Sequence, residues 1–251
     1  MLAKRIIPWL DIKDGQTVKG VNFEGLQTIG DPVELASKYA KQGADELVFL
    51  DITASKEDRK TFADLVLRIA KVINIPFTVG GGIASIDDAA RLLDAGADKI
   101  TINTSAVSNP SLITEIAGKY GSQFIVVAID GLQENGIWSV TTHGGSNRTD
   151  RELFSWALEV QERGAGEILF TSMNHDGTGQ GYPLEEFAEL NRILHIPVIA
   201  SGGAGSVEDI EKVFKIGKAD AALAASIFHY DQIPIPVLKK ELAERGVRVR
   251  I

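Results

Sequence analysis

The chain has 251 residues, of which 44% are hydrophobic and 24% charged, a composition typical of a soluble globular protein with a large core. Its formal charge of −8 argues against a general nucleic-acid binder, because such proteins gain affinity by neutralising phosphates. The absence of cysteine excludes disulfides and thiolate metal sites. No apolar run approaches the ~18 residues that span a bilayer, so we expect a cytoplasmic protein without a membrane partner.

Short apolar runs alternate with segments of helical period along the whole chain. Most of the runs are almost continuously apolar, as expected for parallel strands that are covered on both faces. The run at 136–145 resembles a hairpin inserted after the fifth strand. Eight alternations predict a single (β/α)8 TIM barrel domain over residues 1–251. The predicted strands are 5–12, 46–52, 76–80, 99–103, 124–130, 167–172, 197–201 and 221–226.

The second half of the chain resembles the first half. ADELVFLD resembles AGEILFTS, and IPFTVGGG resembles IPVIASGG, each about 121 residues further on. Asp11 has a counterpart in Asp130 at nearly the same spacing. These matches predict a two-fold half-barrel internal repeat, so that a site in one half has a mate in the other.

Glycine pairs follow the third and seventh predicted strands, where barrel enzymes commonly bind substrate. Backbone N–H groups can approach an anion closely at glycine, and a helix N-terminus nearby favours negative charge. The loops after the fourth and eighth strands add further small or polar residues. We interpret these loops as two phosphate-binding sites, although the glycines could instead serve only tight turns. The first site would comprise Gly81, Gly82, Asn103 and Thr104, and the second Gly202, Gly203, Ala225 and Ser226.

Asp11 and Asp130 end the first and fifth predicted strands, on opposite sides of the barrel mouth. An acid and a base on either side of a substrate suit ring closure or isomerisation, and burial can raise the pKa of one carboxyl group. We predict that both are catalytic; the alternative is that each caps a loop. Asp176, after the sixth strand, is either a substrate contact or a turn residue. Lys19, in the loop after the first strand, could reach an anionic substrate, and His175 could also touch it.

No metal or cofactor is expected. The four histidines lack HxxxH or HxH spacing. GGGIAS lacks the third glycine of a dinucleotide-binding fingerprint, and no serine lies in a G-x-S-x-G elbow.

With these features the chain resembles the cyclase subunit of imidazole glycerol phosphate synthase, an enzyme of histidine biosynthesis. The resemblance implies that ammonia reacts with a bisphosphorylated ribulosyl-formimino-aminoimidazole carboxamide ribonucleotide. The products would be imidazole glycerol phosphate and aminoimidazole carboxamide ribonucleotide. It also implies that Asp11 and Asp130 are the general acid/base pair and that Lys19 closes over the substrate. The segments that carry the resemblance include MLAKRII, LDIKDG, VKGVNF, DELVFLDITAS, PFTVGGGI, VAID, RGAGEIL, DGT and IPVIASGGAG.

The resemblance further implies a partner, a glutaminase subunit docked on the N-terminal face of the barrel. This partner would supply ammonia through the barrel interior. Charged residues at four strand starts match the family's ring at that face and are predicted to form a salt-bridged ammonia gate; the alternative role is stability. These residues are Arg5, Glu46, Lys99 and Glu167.

Two rival functions stay open. The sister isomerase of the same pathway shares the barrel, the doubled phosphate sites and the aspartate pair, although VKGVNF, RGAGEIL and the charged ring favour the cyclase. A non-catalytic or designed barrel scaffold is the other, because the chain has Trp9 and no cysteine.

Trp9 occupies a position that is commonly cysteine in this family, and it should face the barrel interior, as Asp11 does. It either fills core volume or, by its bulk, narrows the ammonia route or presses on Asp11. The narrowing hypothesis predicts that glutamine-dependent turnover is impaired more than turnover with added ammonium salt. Parallel assays with the two nitrogen sources test it, and an equal loss in both would refute it.

Overall fold

The computed structural model describes residues 2–21, 24–52 and 58–251. Residues 22–23 of the VKGVNF segment and 53–55 of the DELVFLDITAS segment lie outside the described residues, as does Met1. The strands of the described part are β1 (Arg5–Lys13), β2 (Gln16–Val21), β3 (Glu24–Gly30), β4 (Leu47–Asp51), β5 (Phe77–Gly80), β6 (Lys99–Ile102), β7 (Ile125–Glu134), β8 (Ile137–Thr142), β9 (Asn147–Glu152), β10 (Glu167–Ser172), β11 (Val198–Ser201) and β12 (Ala221–Ala224). Its helices are α1 (Pro32–Lys41), α2 (Asp58–Ala70), α3 (Ile86–Asp94), α4 (Thr104–Ser108), α5 (Ser111–Tyr120), α6 (Leu153–Glu162), α7 (Leu184–Ile193), α8 (Val207–Lys215), α9 (Ser226–His229) and α10 (Ile235–Glu244), with a 3₁₀ turn at Ser122–Phe124.

Eight of these strands form a closed parallel barrel. Parallel pairs join β1 to β4, β4 to β5, β5 to β6 and β6 to β7. The ring continues from β7 to β10, β11 and β12, and β12 pairs with β1. Helices connect successive barrel strands, so the predicted (β/α)8 barrel is confirmed. None of the helices in the described ranges is long and apolar enough to cross a membrane.

Two antiparallel extensions rise from the barrel strands. β7 continues beyond the barrel and pairs with β8, which pairs with β9, so the predicted hairpin is present. β1 pairs with β2, and β2 with β3. The prediction that Lys19 lies in a loop is therefore wrong, because Lys19 is part of β2. Asp14-Gly15 has positive φ at both residues, the geometry of a two-residue turn that matches the twist of a hairpin.

The apolar side chains form two separate cores, which explains why the barrel strands lack alternation. The larger core lies between the strands and the surrounding helices and includes Ile6 and Leu10 of β1. The smaller core fills the barrel interior, and Trp9 packs against it. Because successive residues of a strand face opposite sides, β1 must be apolar on both faces. The interior core comprises Ile7, Val48, Val126, Leu169, Ile199, Ala221 and Leu223.

Helices α3 and α8 begin with the same hydrogen bonds. The Asp88 backbone N–H donates to Ser85 Oγ at 3.2 Å, and the Asp209 backbone N–H donates to Ser206 Oγ at 3.2 Å. A serine N-cap accepts a hydrogen bond from a backbone N–H that has no partner within the helix. Each glycine-rich turn is therefore followed by a capped helix. This local likeness supports the internal repeat, which stays a prediction for the chain as a whole.

The turn after β5 requires glycine, and this requirement can be tested. A Cβ at Gly81 would lie 2.1 Å from the Asp51 carbonyl oxygen, at a φ of +100°. We expect Gly81→Ala to lower the free energy of unfolding by about 2 kcal/mol or more, because both a clash and backbone strain result. Denaturant titration measures the change.

Gly118→Ala is the matched control. Gly118 lies on the exposed side of α5 and has open space around its Cα. Alanine there should leave the stability unchanged or raise it by about 0.5–1 kcal/mol. If Gly81→Ala were as stable as Gly118→Ala, the proposed constraint on the turn would be wrong.

Candidate active site

A cavity of about 910 Å³ opens at the carboxyl ends of the barrel strands. Its size lies at the upper end of the range found for small-molecule sites, roughly 300–1,000 Å³. The two predicted catalytic aspartates and the predicted phosphate-binding residues line this one cavity, together with Lys19 and Asp176, although what each does there stays a prediction. These residues are Asp11, Lys19, Gly81, Gly82, Asn103, Thr104, Asp130, Asp176, Gly202, Gly203, Ala225 and Ser226.

Asp11 is almost fully buried in the cavity wall, with 3% of its surface exposed. Its two carboxylate oxygens have different partners. The indole N–H of Trp9 donates to Oδ1 at 2.7 Å, and Lys19 Nζ lies 3.9 Å from Oδ2. Burial raises the pKa of Asp11, the Trp9 hydrogen bond and the charge of Lys19 oppose this rise, and the charge of Asp176 adds to it.

Trp9 therefore does more than fill core volume. Its ring packs against the interior core and also lines the cavity, and its indole is bonded to Asp11. The contact between Trp9 and Asp11 is a hydrogen bond of ordinary length, at which the two groups attract each other. This observation replaces the hypothesis that Trp9 presses on Asp11.

Asp130 is held on the opposite side of the cavity, where Asn103 Nδ2 donates to its Oδ2 at 2.8 Å. Its backbone carbonyl accepts from Thr141 of β8, so the hairpin fixes the strand at this point. Burial raises the pKa of Asp130 to about 7, with a further rise from the charge of Asp176, and the Asn103 hydrogen bond only partly opposes it. Asp130 thus exchanges its proton near neutral pH.

Asp176 is both a turn residue and part of the cavity wall. Its backbone N–H donates to the Ser172 carbonyl at 2.9 Å, which closes a turn after β10. Its charge acts on the carboxyls of both Asp11 and Asp130. His175, expected to touch the substrate, instead bonds Ser172 Oγ through Nδ1 at 2.7 Å. That histidine supports the turn and is not among the residues lining the cavity.

The two predicted phosphate-binding sites occupy separate parts of the wall, and their turns share one constraint. Gly81 and Gly202 have φ of +100° and +80°. A Cβ at Gly202 would lie 2.5 Å from the Ser172 carbonyl oxygen, much as one at Gly81 would meet the carbonyl of Asp51. Glycine therefore allows each turn to pass closely over the preceding strand, and backbone N–H groups are brought to the cavity.

Helices α4 and α9 begin next to these turns. The residues before them, Asn103 and Ala225, make no side-chain cap hydrogen bond, so no cap side chain occupies the first N–H groups of either helix. Open N–H groups at a helix start favour an anion.

Sequence reasoning missed that the hairpin approaches the first predicted phosphate-binding site. The His143 backbone N–H donates to Thr104 Oγ1 at 3.1 Å, and Gly144 lines the cavity. The signal was the glycine pair in the turn between β8 and β9, but nothing local tells which loop it approaches. Residues 177–179, from the turn around Asp176, were missed in the same way.

A ring of ion pairs lies at the other end of the barrel, at the starts of the strands. Arg5 pairs with Glu46 at 2.8 Å and also with Glu167. Lys99 pairs with Glu46 at 3.1 Å and with Glu167 at 3.0 Å. Burial disfavours charge on Glu46, but pairing with Arg5 and Lys99 outweighs it and lowers the pKa of Glu46. All four predicted residues thus form one closed circuit; its function as a gate stays a prediction.

Comparison with known proteins gives consistent matches over nearly the whole chain. The family model described as histidine biosynthesis protein matches residues 5–234. Imidazole glycerol phosphate synthase subunit HisF of Phocaeicola vulgatus is 62% identical over 251 residues, which cover all of both chains. The proteins of the same name from Flavobacterium johnsoniae and Elusimicrobium minutum are 59% and 57% identical, also over the full length of both chains.

The high pKa of Asp130 should carry a stability cost. Between about pH 4 and pH 7 the folded protein keeps a proton that the unfolded chain releases, so the free energy of unfolding falls as pH rises through this window. We expect Asp130→Asn to be more stable than the wild type by about 2–4 kcal/mol at pH 8, and by much less at pH 4.

Denaturant titrations at the two pH values measure this difference. Asp150→Asn is the control, because Asp150 is exposed and the change should stay within about 0.5 kcal/mol at both pH values. Equal stability of Asp130→Asn and the wild type at pH 8 would show that Asp130 is not held in a disfavoured state.

Proposed function

The chain belongs to the histidine biosynthesis protein family, and from this membership we propose that it is the ammonia-dependent cyclase, a lyase, of imidazole glycerol phosphate synthase. The observation that carries the proposal is the pair of aspartates, Asp11 and Asp130, which share one cavity but have different surroundings. The substrate we propose is the bisphosphorylated ribulosyl-formimino-aminoimidazole carboxamide ribonucleotide, which reacts with ammonia.

The two surroundings support a division of labour. Burial raises the pKa of Asp11, but the hydrogen bond from Trp9 and the nearby charge of Lys19 both favour its ionised form. Within the described part of the chain no cation pairs with Asp130, whose carboxyl accepts a hydrogen bond from Asn103, and burial raises its pKa to about 7. Two carboxyls in different surroundings suit acid and base roles. We assign Asp11 as the general base and Asp130 as the general acid.

These roles fit the reaction. Ammonia condenses with the ketone carbon of the ribulosyl group, which releases the ketone oxygen as water, and its bond to the formimino carbon closes the ring as the bond from that carbon to the aminoimidazole amine breaks. These steps require removal of protons from nitrogen and carbon, and a proton must reach the amine that leaves. With the substrate lying across the cavity, Asp11 takes up a proton on one side and Asp130 delivers one on the other. Imidazole glycerol phosphate and aminoimidazole carboxamide ribonucleotide are then released. No metal or cofactor takes part in this scheme.

The two glycine turns support a substrate with a phosphate at each end. Gly82, Asn103 and Thr104 bind one phosphate, and Gly203, Ala225 and Ser226 bind the other. Lys19 of β2, at the cavity wall, offers a positive charge to the bound anion and to Asp11. Asp176 lines the same cavity, and its charge adds to the rise in the pKa of Asp130 that burial causes.

A glutaminase subunit is the proposed partner, docked at the N-terminal face of the barrel. The word subunit in the names of the relatives supports an assembly, and the ion-pair ring supports the face. Ammonia would pass the ring of Arg5, Glu46, Lys99 and Glu167 and cross the apolar interior to the cavity. Trp9 would then be the last side chain that ammonia passes before the cavity, because Trp9 packs against the interior core and also lines the cavity.

Ammonia-dependent turnover of the bisphosphate substrate by the isolated chain tests the proposal. We expect turnover to require ammonium salt, and Asp11→Asn and Asp130→Asn each to lower kcat by about 10²–10⁴-fold, because each removes a proton-transfer group. The assay measures the release of aminoimidazole carboxamide ribonucleotide as product.

Asp14→Asn is the matched control, since Asp14 is exposed in the β1–β2 turn and asparagine accepts its positive φ. It should retain wild-type turnover. Conversion of the substrate without ammonia would favour the sister isomerase, and the absence of any conversion would favour the non-catalytic scaffold.

A further inference from the structure

Trp9 makes a direct contact with the proposed base. An apolar side chain without an N–H could pack against the interior core but could not donate a hydrogen bond. The indole N–H of Trp9 donates to Asp11 Oδ1 at 2.7 Å, two residues further along β1. Residues i and i+2 of a strand face the same side, which brings the two side chains together in the barrel mouth.

We propose that Trp9 is a positioning residue, whose indole N–H orients the Asp11 carboxylate so that Oδ2 faces the substrate. The proposal rests on the function proposed above, in which Asp11 is the base. Oδ1 accepts the hydrogen bond of Trp9, and Lys19 Nζ lies 3.9 Å from Oδ2. Proton transfer therefore falls to Oδ2, in a geometry that is set before the substrate arrives.

The indole can serve as a fixed donor because its ring is held by packing. Trp9 pairs with Val48 of β4 in register and packs against the interior core, whose members come from several barrel strands. A donor on a packed ring loses little conformational entropy when it binds a carboxylate, unlike a donor on a long flexible side chain. Lys19, the other neighbour of Asp11, lies on strand β2 and carries its charge on such a flexible side chain.

The contact also bears on when Asp11 is ionised. A hydrogen bond to a carboxylate favours its charged form. Among the described residues, the charged groups that act on the Asp11 carboxyl are Lys19 from β2 and Asp176 from the loop after β10, while Asp51 and Asp130 line the same cavity. Since burial and Asp176 both raise the pKa of Asp11, loss of the Trp9 donor would leave Lys19 as the one opposing group among the described residues.

Trp9→Phe removes the N–H and keeps an aromatic ring. With ammonium salt as nitrogen source, so that no interior route is needed, we expect kcat to fall about tenfold with little change in KM. The acid limb of the pH profile should move upward by roughly one pH unit, because a base with a higher pKa is ionised only at higher pH. The alkaline limb, which reports Asp130, should stay in place.

Trp156→Phe is the matched control. Trp156 is buried in α6, away from the cavity, and its indole nitrogen has no hydrogen-bond partner in the described part of the chain. It should leave both limbs unchanged, even if it lowers stability. A Trp9→Phe enzyme with the wild-type pH profile, or with a loss confined to glutamine-driven turnover, would overturn the proposal.

A second measurement needs neither turnover nor a folded Trp9→Phe variant. The chain has three tryptophans, so its indole ¹⁵N–¹H spectrum is simple to assign. The Trp9 signal of the wild type should move as Asp11 titrates, and Asp11→Asn should remove that movement. A Trp9 signal that does not move when Asp11 titrates would contradict the proposal. Failure of ammonia-dependent turnover in the wild type would instead refute the proposed function, while the spectrum still decides whether Trp9 and Asp11 are coupled.

Discussion

The structure of the site depends on the burial of two carboxyl groups at one end of a closed barrel. A carboxylate taken out of water must find partners, or its pKa rises until it keeps its proton. Asp11 has Trp9 and Lys19 as partners, whereas Asp130 has the Asn103 amide, and the charge of Asp176 raises the pKa of both. The two buried carboxyls thus differ in their hydrogen-bond and charge partners. The high pKa of Asp130 lowers the free energy of unfolding at neutral pH.

The opposite end of the barrel treats buried charge in another way. Arg5, Glu46, Lys99 and Glu167 are each paired twice, so each ion has opposite charges on both sides. Such buried pairs add little net stability compared with apolar packing, because desolvation offsets much of their attraction. They do place a layer of charged side chains at the strand starts, next to the apolar interior of the barrel. The barrel is therefore polar at both ends and apolar between them, with Trp9 at the upper boundary.

Much of this arrangement was predictable from local features. Continuous apolar runs such as FIVVAID identified the barrel strands to within a few residues, because a strand covered on both faces cannot alternate. Glycine pairs after strands identified the close turns. The prediction that Lys19 lies in a loop was wrong because the weak pattern of β2 becomes a strand only through pairing with β1. The approach of His143 to Thr104 was missed because it joins segments 39 residues apart through a hairpin.

The sequence by itself determined the barrel class, the two aspartates and the glycine turns. Each of these follows from residue types at a spacing that admits one backbone geometry, since strand ends on one side of a parallel barrel must converge. Only the tertiary structure decided which partners each carboxyl received. That Trp9 bonds Asp11, and that Asp176 raises the pKa of Asp130, depends on side-chain directions and on burial. Electrostatic interactions in a buried site vary steeply with distance and solvent access, which spacing along a chain does not specify.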